Sequence, residues 1–172
     1  ASDRKVPAGG SMNISYSPLT NYYLKSVTVD QKPVALDTYE SRYSFTKVNA
    51  DHHIKVVYAK NPVLTITKEV TGKWDEFGTP TFLFQIDGTD FNGIRRTYYE
   101  ALSIPEQFAE DGIYRKSFTM NIPAGKWTVS EIAVSRYKLT GIKEVQNGTI
   151  SGQTVQLNTQ DHDTAKATFC NQ

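Results

Sequence analysis

The sequence predicts an all-β chain, with a small β-rich module over residues 1–61 and a seven-stranded β-sandwich over residues 62–172. Three observations carry that expectation. Apolar and polar residues alternate at period two along many short runs, the pattern of strands with one buried face. Tyr and Phe number 10 and 8, alongside many Thr and Val, and these residues pack well on a pleated surface. Clusters of Gly, Pro, Asn and Asp separate the alternating runs.

The elements follow in order. Residues 1–10 are polar with Pro7 and Gly9-Gly10, and read as a tail or linker. Residues 12–16 form a short alternating strand closed by Ser17-Pro18, and residues 22–30 a longer one. Asp30-Gln31-Lys32-Pro33 turns the chain into a short strand around Val34, and residues 37–41 connect. Tyr43, Phe45 and Val48 mark a strand, and Asn49-Ala50-Asp51 turns into another over 53–58. Asn61-Pro62 is a natural boundary, because the residue before a proline is pushed to extended geometry.

In the second module, strands are expected at 63–70, 81–86, 113–122, 127–132, 137–146, 149–157 and 164–171. Residues 71–80 read as a loop, and Asp87-Gly88 as a turn. Residues 89–112 read as a long irregular stretch with a short helical turn near 105–108, and Pro123-Ala124-Gly125 as a turn. Asn147-Gly148 is a hairpin signal. Seven short strands with turn signals describe a sandwich.

Three of these strands carry a polar residue on the apolar face. Lys68 shares a face with Leu64, Ile66 and Val70; Glu131 with Trp127 and Val129; Asn171 with Ala167 and Phe169. Inward polar groups are costly unless partnered. Burial disfavours the charged forms of amine and carboxyl alike, so a buried Lys/Glu pair can exist as neutral amine and neutral acid. A neutral amine is a nucleophile and the amide carbon of an asparagine an electrophile. Glu131 could polarise the amide and carry protons to the leaving ammonia. The product would be a Lys68–Asn171 isopeptide bond between the first and last strands of the module.

The segments "LTITKEVTG", "PAGKWTVSEI" and "ATFCNQ" resemble the B-type repeat of collagen adhesins, the self-crosslinking sandwich domains of Gram-positive pilins and surface adhesins. The resemblance covers roughly residues 62–172 and implies an immunoglobulin-like or transthyretin-like sandwich. It puts the family's lysine at Lys68, its glutamate at Glu131 and its asparagine at Asn171. Two departures stand in these motifs: Trp127 replaces the usual tyrosine, and Cys170 fills the outward position before the asparagine. The first module is similar to bacterial surface repeats related to internalin B-repeats, through "YYLKSVTVDQK" and "YSFTKVNADHHIKVVYA". Gln31 replaces the usual turn glycine there and Lys47 an asparagine. That resemblance implies a small β-grasp-like or β-rich spacer. Together the two resemblances imply a stalk or adhesin fragment on the cell-wall-attached surface of a Gram-positive bacterium.

Composition bounds the partners. With 19 basic and 18 acidic residues the net charge is +1, which offers no general surface for nucleic acid or anionic membrane. Hydrophobic residues at 38% and charged residues at 22% mark a globular chain. One cysteine permits no internal disulfide, so an isopeptide bond would supply the covalent staple. No apolar run is long enough to span a membrane. No signal peptide or sortase-type anchor is visible, so a surface-displayed protein would carry them elsewhere in a longer chain.

The remaining candidates are weaker. His52, His53 and His162 lie in turns without a third ligand at fixed spacing, so neither a metal nor a cofactor is expected. Cys170 has no base nearby in sequence and reads as a packed or exposed thiol. "VVYAK" faintly resembles a pilin motif whose lysine a sortase joins to the next subunit, which would make Lys60 that lysine. Ala59 stands where the motif has proline. The alternative from another class is a sandwich without a cross-link that binds a host matrix protein or glycan through the 89–112 stretch. Tyr98, Tyr99 and Phe108 would be its contacts. A single-turnover self-reaction would not make the protein an enzyme.

Overall fold

The computed structural model describes residues 3–36, 41–72, 78–105, 109–110 and 112–172. The chain divides into two units, Ala1–Lys60 and Asn61–Gln172, and both are built from strands.

In the first unit, β1 (Gly10–Ser15) pairs antiparallel with β4 (Arg42–Val48). A second sheet has β2 (Tyr22–Val29) between β3 (Lys32–Val34) and β5 (Ile54–Lys60). Asp30 and Gln31 turn β2 into β3 with φ of 49° and 67°, the paired left-handed geometry whose twist suits a two-residue hairpin. Asp30 is pinned there: its carboxylate accepts a 2.8 Å bond from the His53 amide and lies 2.7 Å from His52 Nδ1. His52 also stacks on Phe45 at 5.1 Å. The "DHH" segment therefore closes a turn. Tyr16, Tyr23, Val27, Val29 and Ala59 form the buried side of this unit. The described residues of this unit are strands and connections, with no helix among them, so it is β-rich there.

The second unit is a sandwich of two five-stranded sheets. One sheet contains, in spatial order, β12 (Leu139–Gln146), β15 (Thr164–Asn171), β6 (Val63–Thr71), β10 (Ile113–Asn121) and β9 (Ala109–Glu110). The other contains β13 (Gly148–Ser151), β14 (Thr154–Thr159), β11 (Gly125–Ile132), β7 (Thr81–Asp90) and β8 (Arg95–Ser103). All pairs are antiparallel except β6 with β15, the first and last strands of the unit. Leu64, Ile66, Ala167 and Phe169 from one sheet meet Phe82, Phe84, Ile86, Trp127 and Val129 from the other, all buried. Phe84 sits edge-on to Phe169 at 5.3 Å and tilted to Phe118 at 5.6 Å.

The all-β sandwich is as expected, but ten strands are present among the described residues where the sequence predicts seven. Residues 89–112 are largely regular: β7 runs on to Asp90, and β8 and β9 follow. Gly88 is inside β7, where an added Cβ would run into the Lys126 carbonyl and come within 2.8 Å of the Trp127 ring. Close approach of a neighbouring strand, and not a turn, selects glycine there. The chain reverses at 91–94 instead, with Asp90 Oδ1 accepting bonds from the amides of Asn92 and Ile94, each 3.0 Å. Asn147-Gly148 likewise closes no hairpin. Asn147 takes a left-handed φ of 56° where the chain passes from one sheet to the other, and Gly148 abuts Leu157. The hairpin lies at Gly152-Gln153, between β13 and β14, which divides the expected 149–157 strand in two. The helical turn expected near 105–108 falls mostly on residues 106–108, outside the described residues.

Candidate functional site

Strand parity brings three polar side chains into the sandwich core. On β6, Leu64, Ile66, Lys68 and Val70 point inward; on β15, Ala165, Ala167, Phe169 and Asn171 do so. The parallel register sets Lys68 beside Phe169 and Val70 beside Asn171, so amine and carboxamide reach the core from neighbouring strands of one sheet. Glu131 comes from the facing sheet, on β11 opposite Phe84 of β7.

The three groups touch. Lys68 is wholly buried, with Nζ 3.1 Å from Glu131 Oε2, and the Glu131 side chain is 3% exposed. Asn171, 1% exposed, donates from Nδ2 to Glu131 Oε1 at 2.5 Å. One carboxyl group therefore holds the amine on one oxygen and the carboxamide on the other. The Lys68–Glu131 contact has ion-pair distance but lies off the hydrogen-bond direction, so Oε2 accepts no directed bond among the described residues. Asn171 Oδ1 is also buried without a hydrogen-bond donor among them. Lys68 Nζ donates instead to two backbone carbonyls, Phe169 O at 3.0 Å and Glu69 O at 3.3 Å. The Phe82 ring lies 4.7 Å from Nζ.

Burial pulls the Lys68 amine below its ordinary value of 10.5, and the adjacent Glu131 offsets this only in part. A buried site that disfavours ammonium favours the nucleophilic amine. The arrangement provides a nucleophile, an electrophile and a proton carrier in mutual contact.

A second buried carboxylate on β6 lies outside this group. Glu69 points to the outer face of the sheet and is nonetheless 6% exposed. Arg115 Nε on β10 meets its Oε2 at 2.8 Å, and Lys143 Nζ on β12 meets its Oε1 at 2.9 Å. Burial pushes the Glu69 carboxyl up, but bonds from Lys143 and Arg115 outweigh it and hold the group below the usual range. Its partners lie 46 and 74 positions away in the chain, so nothing local in the sequence marks Glu69 as buried. Cys170 is half-buried beside it, Sγ 3.9 Å from Oε1, and burial followed by the Glu69 charge raises the thiol pKa.

Tyr98 and Tyr99 lie on the regular strand β8. Tyr98 is half-buried against Trp127, ring centroids 5.8 Å apart, while Tyr99 is 57% exposed. Phe108 lies outside the described residues. Lys60 is exposed at the end of β5, paired across the sheet with Tyr22. No cluster of three metal-ligating side chains occurs among the described residues, and no helix there is long and apolar enough to cross a membrane.

The chain matches no protein-family profile and no curated protein sequence. Among solved structures it is similar to the pilus-presented adhesin Cpa, at 22% identity and a TM-score of 0.36, over 64% of this chain and 27% of that one. It is also similar to the major pilin from Streptococcus pyogenes, at 16% identity and a TM-score of 0.31, over 98% of this chain and 72% of that one. An asparagine-to-alanine point mutant of that pilin gives 16% identity and a TM-score of 0.31, over 97% and 71%. The chain thus spans about a quarter of the adhesin's length.

Proposed function

We propose that the second unit cross-links itself through an isopeptide bond between Lys68 Nζ and Asn171 Cγ, with Glu131 carrying the protons. The observation that carries this reading is the seating of a buried amine and a buried carboxamide on the two oxygens of one buried carboxyl group. Within the pair a proton passes from the Lys68 ammonium to Glu131, leaving a neutral amine. With the Asn171 carboxamide turned so that Oδ1 replaces Nδ2, the protonated Glu131 donates to the amide oxygen and polarises Cγ. The amine attacks Cγ, Glu131 relays a proton from Nζ to Nδ2, the Cγ–Nδ2 bond breaks, and ammonia leaves. One amine and one primary amide become one secondary amide and ammonia.

The reaction happens once per molecule, so the product is a stabilised structural protein rather than a turnover catalyst. Its benefit is mechanical: tension drawn through β6 and β15 runs along a covalent path, and the strands between them need not unfold. This suits a stalk or adhesin segment displayed outside a Gram-positive cell, joined to neighbouring modules of a longer surface protein. Tryptic digestion and tandem mass spectrometry test the assignment. A branched peptide joining residues 61–73 to residues 167–172 is expected, because acylated Lys68 resists trypsin; recovery of 61–68, 69–73 and 167–172 as separate linear peptides would contradict it.

A further inference from the structure

The cross-link reading leaves open what aims the amine. Nitrogen in a neutral amine has two N–H bonds and one lone pair; the ammonium has three N–H bonds and no lone pair. Lys68 Nζ makes two directed hydrogen bonds, to Phe169 O at 3.0 Å and Glu69 O at 3.3 Å. Its third neighbour is Glu131 Oε2, at 3.1 Å and off the hydrogen-bond direction. The two carbonyls belong to different strands, β6 and β15, so they hold Nζ between them. Because they are backbone groups in a paired sheet, they do not move with side-chain rotamers.

Resting on the cross-link reading, we infer that the carbonyl oxygens of Phe169 and Glu69 form a cradle that fixes the rotation of the Lys68 amine and aims its lone pair. When the third proton leaves for Glu131, both remaining N–H bonds stay on the carbonyls. The lone pair takes the position this proton leaves, with Glu131 Oε2 3.1 Å from Nζ. A freely rotating amine would spend most of its time with the lone pair elsewhere, and the fixed rotation removes that loss. Phe169 and Glu69 are positioning residues in this scheme, acting through their main chain and not their side chains. The parallel pairing of β6 with β15 has a chemical role here, because it places the Phe169 carbonyl within reach of Lys68.

The test weakens one carbonyl without removing a core side chain. In a Cys170→Ala background, the amide joining residues 169 and 170 is replaced by an ester through an α-hydroxy acid at position 170. An ester carbonyl is a poorer acceptor. The control places the ester between residues 167 and 168, which deletes an N–H on the same side of the strand and weakens a carbonyl that does not touch Lys68. Each protein is refolded from denaturant, and the loss of ammonia is followed by intact mass while circular dichroism reports folding. The 169–170 ester should cross-link about tenfold more slowly than the control, as expected for weakening one orienting hydrogen bond. Equal rates would overturn the cradle while leaving the cross-link intact. Absence of cross-link in the all-amide protein would instead overturn the reading on which it rests.

Should the ester at 169–170 fail to fold, the carbonyl ¹³C shift of Phe169 answers the same question. It is read in Glu131→Ala protein, where the cross-link is blocked, with and without Lys68→Met. Removing the amine should move the Phe169 carbonyl upfield and leave the Ala167 carbonyl in place. An unmoved Phe169 carbonyl would overturn the inference.

Discussion

Lys68 and Asn171 stand on adjacent parallel strands, offset by two residues in register, and both reach the two oxygens of Glu131 on the opposite sheet. Two strands that begin and end a module of about 100 residues are thereby brought to one point. Closing a loop of that length covalently is worth roughly 4.7 kcal/mol if the chain-entropy treatment of disulfides carries over.

Glu131→Gln should therefore fold but remain uncross-linked, with Lys68 and Asn171 both unmodified by mass. Its thermal midpoint should fall by roughly 15 °C or more, from the lost loop constraint and the usual midpoint change per kcal/mol in a domain of this size. Scanning calorimetry of the two proteins reads the difference. A cross-linked Glu131→Gln protein would remove Glu131 from the chemistry.

The Lys68 amine should also make stability depend on pH wherever the cross-link is absent. In Asn171→Ala the amine has no carboxamide to attack. Its folded-state pKa is depressed by burial from 10.5, so between the two values the unfolded chain binds the proton and the folded one does not. Stability should rise with pH across that window and level off above 10.5, while below the folded pKa the buried ammonium costs the fold its full penalty. The thermal midpoint of Asn171→Ala should climb with pH relative to that of Lys68→Met/Asn171→Ala. Parallel curves would contradict a depressed lysine.

On the outer face, Glu69 ties β10 to β12 across β6 and β15 through Arg115 and Lys143. Its folded pKa is depressed, so its contribution is present above the ordinary carboxylate range and fades as pH falls through the folded value. Glu69→Gln in the Asn171→Ala background should cost about 1–2 kcal/mol at neutral pH by urea titration, because two charge-assisted bonds are weakened. The difference should vanish at acid pH. A constant difference would assign the loss to packing.

Gly88→Ala should destabilise the second unit by at least about 2 kcal/mol, since its Cβ has only the Lys126 carbonyl and the Trp127 ring to enter. Gly141→Ala, with open space around the added carbon, is the control and should cost under about 1 kcal/mol. Urea titration compares the two.

The candidate site was legible because strand parity is a local property. Period two is enough to place Lys68, Glu131 and Asn171 on apolar faces, and a polar residue there demands a partner. Topology was less legible. Gly88 and Gly148 look like turn residues in sequence, and only the packing of Trp127 and Leu157 against them reveals why glycine is needed. The hairpin from β7 to β8 was hidden because its turn, 91–94, is anchored by the Asp90 side chain and not by a familiar dipeptide. Glu69 was missed because its burial depends on strands far away in the chain.

The most direct measurement is the intact mass of the folded, then denatured, wild-type protein. Formation of the Lys68–Asn171 bond predicts a mass about 17 Da below that calculated from the sequence, one ammonia lost per chain. The full calculated mass in well-folded protein would mean that amine, carboxyl and carboxamide only hydrogen-bond, and would contradict the cross-link.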